Sequence, residues 1–258
     1  ALGTYDRERF LAYLALPRPA PYVPAEFLRR GEPTADLSRN FWPLTGLPAV
    51  GNDEPLVRDF LLRFFAADEE YKPFAPYVRE DVLKDLFAEA KLVGGSGDVE
   101  RWVSLLDNPA RLKELKDRVD LSFAPSNRPC YAPGEPVSLE VDVKNVASLL
   151  VKVYELNTIA LSRAGKEPAA DIDLDGLPAS EERILAFTEP PLRRVRRRID
   201  LPALDRRGAF VVELIGNGRI SRALVRKGRF DLLERLGTAG HVFSVVDEAG
   251  QGVRDASL

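Results

Sequence analysis

The chain contains 258 residues, of which 45% are hydrophobic, and its 37 Lys+Arg nearly balance its 40 Asp+Glu. This length fits one large or two ordinary domains, and the composition excludes a disordered chain, a strongly basic nucleic-acid binder and, because no run of 18 apolar residues occurs, a membrane-spanning helix. One cysteine, Cys130, excludes an internal disulfide, and one histidine, His241, excludes any site that needs several imidazoles.

Residues 1–118 carry apolar side chains at helical spacing and predict an all-helical domain of about five helices. The clearest helix has Asp53 as its N-cap and Pro55 in its first turn. One face of this helix is apolar and needs a partner in the core: Val57, Phe60, Leu61, Phe64 and Phe65. The chain begins at Ala1 and has no methionine, so we interpret it as a piece of a longer protein.

Four further helices complete the predicted domain. One runs from about Pro76 until two glycines end it at 94–95, and another covers residues 6–15. Asp98 and Asn108 are predicted to cap two shorter helices, because short polar side chains before an apolar repeat favour that position.

A proline-rich segment separates the first helix from the others, with eight prolines over residues 17–55. That density excludes a helix or a central strand, so the segment is expected to be extended. It contains the apolar run Phe41, Trp42, Pro43 and Leu44, which predicts an arm that wraps over the helices and packs on them. A proline-rich recognition ligand is the alternative interpretation.

The pattern changes to strands near residue 119. Residues 137–143 alternate apolar and polar side chains, which is typical of a strand with one buried face. Further strands are predicted at 119–123, 148–156, 193–201, 209–215, 219–227 and 241–246. The fold class is therefore α+β: an N-terminal all-helical domain, 1–118, followed by an antiparallel immunoglobulin-like β-sandwich, 119–235, and by the truncated start of a further β unit, 236–258.

Four segments resemble the macroglobulin-type β-sandwich of the α2-macroglobulin superfamily: Y-A-P-G-E-P-V at 131–137, G-A-F-V-V-E-L at 208–214, S-R-A-L-V-R-K-G at 221–228 and V-D-E-A-G-Q-G-V-R-D-A at 246–256. The first is also predicted to form a type II turn with Gly134 at positive φ. The resemblance covers residues 119–258 and implies a spacer and interaction domain, with an extracellular or cell-surface location. The family's thioester does not carry over, because no Gly-Glu-Gln follows Cys130.

An acidic loop matches the spacing of a calcium-binding loop. Asp171, Asp173, Asp175 and Glu182 stand at the oxygen-ligand positions, the carbonyl of Leu177 would add another ligand, and Gly176 allows the sharp turn. The alternative is an extended segment in which Ile172, Leu174 and Leu177 point inward while the three aspartates face water. Calcium is the one cofactor for which the sequence offers a candidate.

A cluster of arginines follows this loop: Arg193, Arg194, Arg196, Arg197 and Arg198. From 192 to 229 there are 12 Lys+Arg and three acids, whereas residues 1–191 hold 23 basic and 32 acidic side chains. The asymmetry indicates either a polyanion-binding face or ion pairing with the acidic helical part or a neighbouring domain. The basic run lacks the interleaved aromatic residues that stack on bases, which argues against nucleic acid.

Catalysis has no good candidate, since a nucleophile–base pair would have to use His241, which begins a strand without any marking feature. The sequence therefore predicts a non-enzymatic structural and protein-interaction module with no catalytic residues. The partners expected are other domains of the same parent chain or a separate protein.

Overall fold

The computed structural model describes residues 5–29, 33–166, 169–238, 240–254 and 256. The chain divides into two compact units, which are residues 1–118 with 190–194, and residues 119–189 with 195–258. The first unit is helical and the second is an antiparallel immunoglobulin-like β-sandwich, so the predicted fold class is confirmed. No helix in the described ranges is long and apolar enough to cross a membrane.

The helical unit has seven α-helices in its described part, where about five were predicted. They are α1 Arg7–Leu14, α2 Ala25–Leu28, α3 Trp42–Thr45, α4 Glu54–Ala67, α5 Glu80–Gly94, α6 Val99–Val103 and α7 Pro109–Asp117, with a 3-10 helix at Lys72–Phe74. The two that were not predicted, α2 and α3, are four-residue helices inside the proline-rich segment. That segment is therefore not wholly extended, because Pro24 immediately precedes α2 and Pro43 lies in the first turn of α3, where a missing N–H is tolerated.

Helix α5 begins at Glu80 and not near Pro76. The chain before it forms the 3-10 helix, and the amide N–H of Arg79 donates to the carbonyl of Tyr22 at 2.8 Å, with Arg79 itself extended. The helix ends as predicted, with Gly95 in the left-handed conformation. Asp98 and Asn108 cap α6 and α7 as predicted, each accepting from an amide N–H two residues later at 2.9 Å.

Aromatic side chains dominate the helical core, in which α4 packs on α5. Phe10 stacks on Phe60 at 4.7 Å between ring centroids, Phe65 meets Phe87 edge to face at 5.2 Å, and Trp102 lies against Phe87 at 5.7 Å. Aromatic rings at such distances contribute beyond their buried area. Residues 190–194 join this unit, since the N–H of Arg194 donates to the carbonyl of Val93 at 2.9 Å.

The described residues of the sandwich form eight strands in two sheets: β1 Asp120–Phe123, β2 Cys130–Tyr131, β3 Ser138–Lys144, β4 Ser148–Leu156, β5 Glu181–Ala186, β6 Val195–Asp200, β7 Gly208–Gly216 and β8 Arg219–Lys227. One sheet has the order β1-β3-β6, and the other has the order β2-β8-β7-β4-β5. Every pairing is antiparallel except the short β2–β8 pair. The alternating residues of β3 and β4 face inward as the pattern predicted, with Val141 and Val153 fully buried.

A separate hairpin follows the sandwich, formed by β9 Asp231–Gly237 and β10 Gly240–Val246. The predicted division between 235 and 236 falls inside β9. Three strands were not expected from the sequence, namely β2, β5 and β9. The predicted strand at 193–201 begins only at Val195, because the two residues before it belong to the segment 190–194 of the helical unit.

The outer face of the five-stranded sheet carries a second core. Tyr154, Leu156, Ala209 and Val211 are buried there together with Leu174, which comes from the loop after α8 Thr158–Arg163. Side chains of α8 and of this loop, including Ile172, cover the sheet. A sheet face that would otherwise meet water is thereby closed.

Two tight turns show how far local sequence specifies the backbone. Asn217 and Gly218 both have positive φ, at 44° and 73°, and link β7 to β8 in the manner of a two-residue hairpin turn.

The turn at 132–135 is also present, with the N–H of Glu135 donating to the carbonyl of Ala132 at 3.1 Å. Gly134 is not at positive φ, so the predicted type II geometry is wrong. The Glu135 carboxylate accepts from the N–H of Ala132 at 3.1 Å, which braces the turn without a left-handed residue.

Candidate protein-interaction surface

Among the residues of the helical unit that the structure describes, the most exposed apolar part is the segment 37–51, called here the apolar loop. All residues from 38 to 52 are exposed, and five of them are large and apolar: Phe41, Trp42, Leu44, Leu47 and Val50. Trp42 is 58% exposed and Leu44 is 85% exposed. The expectation that residues 41–44 pack on the helices is therefore wrong. Contiguous exposed apolar side chains of this kind mark sites of protein interaction.

Hydrogen bonds within the apolar loop hold it in one conformation. The side chain of Asn40 accepts from the N–H of Trp42 at 2.9 Å, and the carbonyl of Phe41 accepts from the N–H groups of Leu44 and Thr45 at 2.9 and 3.0 Å. Gly46 ends α3 at a φ of 64°. These bonds are local, which explains why Trp42–Thr45 form a helical turn of their own. A loop that is already ordered loses less conformational entropy when it binds.

Two backbone hydrogen bonds close the neck of the apolar loop. The N–H of Gly51 donates to the carbonyl of Leu37 at 2.8 Å, so that the two ends of the loop meet. The N–H of Ala35 donates to the carbonyl of Pro17 at 2.7 Å and ties the preceding segment to the chain after α1. The loop therefore leaves from and returns to one place on the helical unit.

A buried ion pair, the Arg18–Asp53 clamp, anchors the residue at which the apolar loop rejoins the helices. Arg18 has no exposed surface and Asp53 is 2% exposed. The Asp53 carboxylate accepts from Arg18 Nε at 2.8 Å, from the Tyr13 hydroxyl at 2.6 Å and from the Tyr22 hydroxyl at 2.5 Å. Arg18 Nη1 also donates to the carbonyls of Tyr13, Leu14 and Leu16 at 3.0 to 3.2 Å.

The electrostatics of the clamp keep Asp53 ionised. Burial alone opposes the charge, but the hydrogen bonds from Tyr13, Tyr22 and Arg18 outweigh it, so the pKa of the Asp53 carboxyl lies below its usual value. Burial and the same carboxylate raise the pKa of both tyrosines. Asp53 occupies the N-cap position of α4, as predicted, but its side chain makes no capping hydrogen bond. Its three partners come from residues 31 to 40 positions earlier, which local sequence spacing does not reveal.

The predicted calcium ligands do not assemble into a site. Asp171, Asp173 and Asp175 are exposed, and the Asp173 carboxylate accepts from the N–H of Asp175 at 2.9 Å. Glu182 lies in β5 and pairs with Lys152 at 2.8 Å. In the described part of the chain, no group of three His, Cys, Asp or Glu residues could hold a metal ion.

A structural role explains the alternation in this loop instead. Ile172 and Leu174 pack on the outer face of the sheet, while the aspartates between them face water. Leu177, which the alternative interpretation placed inward, is 44% exposed. The carbonyl of Ile172 accepts from Arg222 Nη1 at 3.3 Å and fixes the loop to β8. The geometry of the loop therefore does not favour calcium.

The predicted arginine cluster is divided between the two units. Arg193 and Arg194 lie in the segment 190–194 of the helical unit. In β6, Arg196 forms a bidentate pair with Asp142 of β3, with both N–O distances 2.8 Å. Arg197 pairs with Glu189, and Arg198 pairs with Asp200 at 3.1 Å. Ion pairing is thus observed within the sandwich, where acids of β3 and of the strand ends compensate the arginines of β6.

His241 has the environment of a surface residue. Its Nδ1 contacts Glu234 across the β9–β10 hairpin, and both side chains are more than half exposed. Its ring stacks with that of Phe243 at 6.2 Å. The imidazole is therefore open to solvent. Cys130 is likewise exposed, in β2.

Comparison with known proteins gives two family models that match the chain. The model of the actin-binding protein F N-terminal domain matches residues 1–119, and that of the AbpF first immunoglobulin-like domain matches residues 149–228. Among curated proteins, the chain is 34% identical over 260 residues to "Actin-binding protein F" of Dictyostelium discoideum. The alignment covers 98% of this chain and 11% of the relative, so the chain spans about a tenth of the relative's length.

Two solved structures of native α2-macroglobulin from Escherichia coli are similar over part of the chain. The structure of domains MG0-NIE-MG1 aligns with 53% of this chain and 48% of its own, at 14% identity and a TM-score of 0.36. The structure of domains NIE-MG1 aligns with 53% of this chain and 73% of its own, at 13% identity and a TM-score of 0.31.

Proposed function

We propose that this chain is the counterpart of the amino-terminal region of actin-binding protein F and acts as a non-catalytic actin-binding region. The observation that carries this proposal is the 34% identity over 98% of the chain, which spans both the helical unit and the sandwich. The matching models for an N-terminal and a first immunoglobulin-like domain support the same order of domains. Identity at this level over both units exceeds what a shared fold alone supplies.

The apolar loop is the proposed contact with actin. The loop exposes the side chains of Trp42 and Leu44 to solvent. Its one charged side chain is Arg39, whose guanidinium lies 5.2 Å from the centroid of the Phe41 ring. Buried tryptophan and arginine residues dominate the energetics of many interfaces. The Arg18–Asp53 clamp and the neck bonds would hold these groups in place before binding.

In this proposal the chain has a helical domain at 1–118 and a sandwich at 119–235, and the sandwich serves as a rigid spacer of the macroglobulin type. The motifs at 131–137 and 208–214 support that type. In this proposal, residues 236–258 are the start of a further β unit, and the hairpin of β9 and β10 supplies its first strands. The hairpin exposes Leu236, Val242 and Phe243, and a two-stranded hairpin with exposed apolar side chains gains stability by pairing with more strands.

Co-sedimentation with filamentous actin tests the proposal. The wild-type chain should pellet with filaments in a saturable manner, and Trp42→Ala combined with Leu44→Ala should weaken binding about 10-fold or more, because each truncation removes large apolar contact area. Ile220→Ala is the matched control, since Ile220 is a 62% exposed apolar residue of the sandwich. It should bind like wild type.

The outcomes separate the two parts of the proposal. No saturable co-sedimentation of the wild-type chain would refute actin binding. Binding that the double variant retains and Ile220→Ala loses would place the contact on the sandwich. Intrinsic fluorescence gives an independent reading, since burial of the exposed Trp42 against actin should shift its emission to shorter wavelength.

A further inference from the structure

One end of the sandwich holds a cavity of about 480 Å³, called here the end pocket. It lies between the turn at 133–136, the segment 200–205 that follows β6, and the end of β8. Val137, Leu201 and Leu204 are buried side chains of its wall, and three prolines add to the apolar surface: Pro133, Pro136 and Pro202. A pocket of this volume accommodates a few residues of a peptide.

Lys227 is the unusual residue of the end pocket. It is 4% exposed, and its Nζ donates to the carbonyl of Leu204. An ammonium group has three donors, and buried charges in proteins are as a rule paired. Among the described residues, no carboxylate forms an ion pair with Lys227. The nearby Glu135 carboxylate is already engaged by Arg128 and by the N–H of Ala132.

Arg183, which also lines the end pocket, is a second cationic side chain with a hydrogen-bond donor that has no acceptor. Its Nη2 donates to the carbonyl of Asp200, whereas its Nε is buried without a hydrogen-bond partner and lies 3.5 Å from Glu181 Oε1. A buried donor without an acceptor is costly. Arg183 Nε is such a donor, and Lys227 Nζ has three donors with one acceptor, the carbonyl of Leu204, so the lining of the cavity indicates a ligand that accepts hydrogen bonds.

We propose that the end pocket binds a carboxylate of a peptide segment, with Lys227 and Arg183 as its donors and with aliphatic or proline residues of the peptide against Val137, Leu201 and Leu204. The charges that line the pocket favour a single negative charge. Arg183, Arg198 and Lys227 face Asp200 and Asp205, so the net charge of the lining is about +1. A dianion such as phosphate would leave excess negative charge beside two aspartates.

This inference is independent of actin binding by the apolar loop. The carboxylate has two possible sources, which are an acidic side chain within a peptide and a peptide's C-terminal carboxylate. Both offer the same acceptor oxygens to Lys227. The peptides acetyl-Pro-Leu-Glu-Leu-Pro-amide and acetyl-Pro-Leu-Pro-Leu with a free C-terminus represent the two sources.

Isothermal titration of the wild-type chain with these peptides tests the proposal without any variant. At least one of them should bind, and its neutral counterpart should bind about 10-fold more weakly or worse, since a hydrogen bond to a charged group is lost. The counterparts are the Gln peptide and the C-terminal amide. If neither carboxylate peptide binds better than its own neutral counterpart, or if neither binds in the millimolar range, the proposal is wrong.

Substitution at Lys227 locates the site. Lys227→Met should abolish the preference for the carboxylate, and Lys227→Arg should retain it. Lys152→Met is the matched control, because Lys152 lies in β4 and pairs with Glu182, and Lys152 does not line the end pocket. If inorganic phosphate binds more tightly than the peptides and its binding also depends on Lys227, the proposed peptide carboxylate is wrong and the ligand is a phosphorylated one.

Discussion

Replacing Asp53 by asparagine removes the charge of the Arg18–Asp53 clamp while it keeps the shape of the side chain. Arg18, which has no exposed surface, then keeps its charge without a counter-ion. Removing one partner of a buried ion pair destabilises a protein by about 3–5 kcal/mol. Native domains have about 5–15 kcal/mol of stability in total, so we expect Asp53→Asn to remove a large share of the stability of the helical unit.

Urea unfolding followed by tryptophan fluorescence measures this loss selectively. Both tryptophans of the chain, Trp42 and Trp102, lie in the helical unit, and Trp102 is buried against Phe87. The fluorescence transition therefore reports that unit alone. Asp98→Asn is the matched control, because it makes the same chemical change at an exposed N-cap where asparagine is equally effective. A free energy of unfolding for Asp53→Asn within about 1 kcal/mol of wild type would refute the reasoning.

The pH dependence provides a second check on the clamp. Because the folded-state pKa of Asp53 is depressed, its contribution is fully present above the unfolded pKa of about 3.9 and is lost as pH falls through the folded value. The difference in unfolding free energy between wild type and Asp53→Asn should therefore be constant near neutral pH and should shrink below about pH 4. A difference that does not change with pH would show that ionisation of Asp53 does not contribute.

Three other measurements test the rest of the structure. Glu89 is buried and pairs with Arg58, Arg111 and Arg118, so Glu89→Gln should cost the helical unit about 3–5 kcal/mol in the same fluorescence assay, and a change below 1 kcal/mol would contradict this role. Leu174→Ala should destabilise the sandwich by about 2–5 kcal/mol, as measured by circular dichroism, because it uncovers the outer core, whereas Leu177→Ala at an exposed position should have little effect. Thermal unfolding should be the same in chelator and in millimolar calcium, and a rise that Asp171→Ala with Asp173→Ala abolishes would restore the calcium hypothesis.

Regular elements were predictable wherever one period of apolar residues repeats over several turns or strand positions. The helix at 54–67 and the strand at 138–144 follow from such repeats, and the caps at Asp98 and Asn108 follow from side chains that bond only two residues away. The strand β5 escaped prediction because its start, Glu181 and Glu182, was assigned to the acidic loop. Its pairing with β4 is a long-range contact that its own composition does not reveal.

The candidate sites were less predictable, because the composition of a segment does not show whether its side chains face water or become buried. The apolar run at 41–44 has the composition of a core segment, and only the local hydrogen bonds of α3 and the closed neck of the loop decide that it faces water. Lys227 has the sequence context of an ordinary strand residue, and the segment 200–205, more than 20 residues away, encloses it.

By itself, the sequence determined the class of the fold, the division between helices and strands, and the absence of a disulfide, because these depend on periodicity and composition. The tertiary structure alone decided which charged groups became buried, where Asp53 finds its three donors, and which apolar residues remained exposed. The buried charges depend on groups far apart in the chain that meet only after folding, where the exclusion of water strengthens each hydrogen bond and each ion pair. The exposure of residues 41–44 depends instead on hydrogen bonds within the apolar loop.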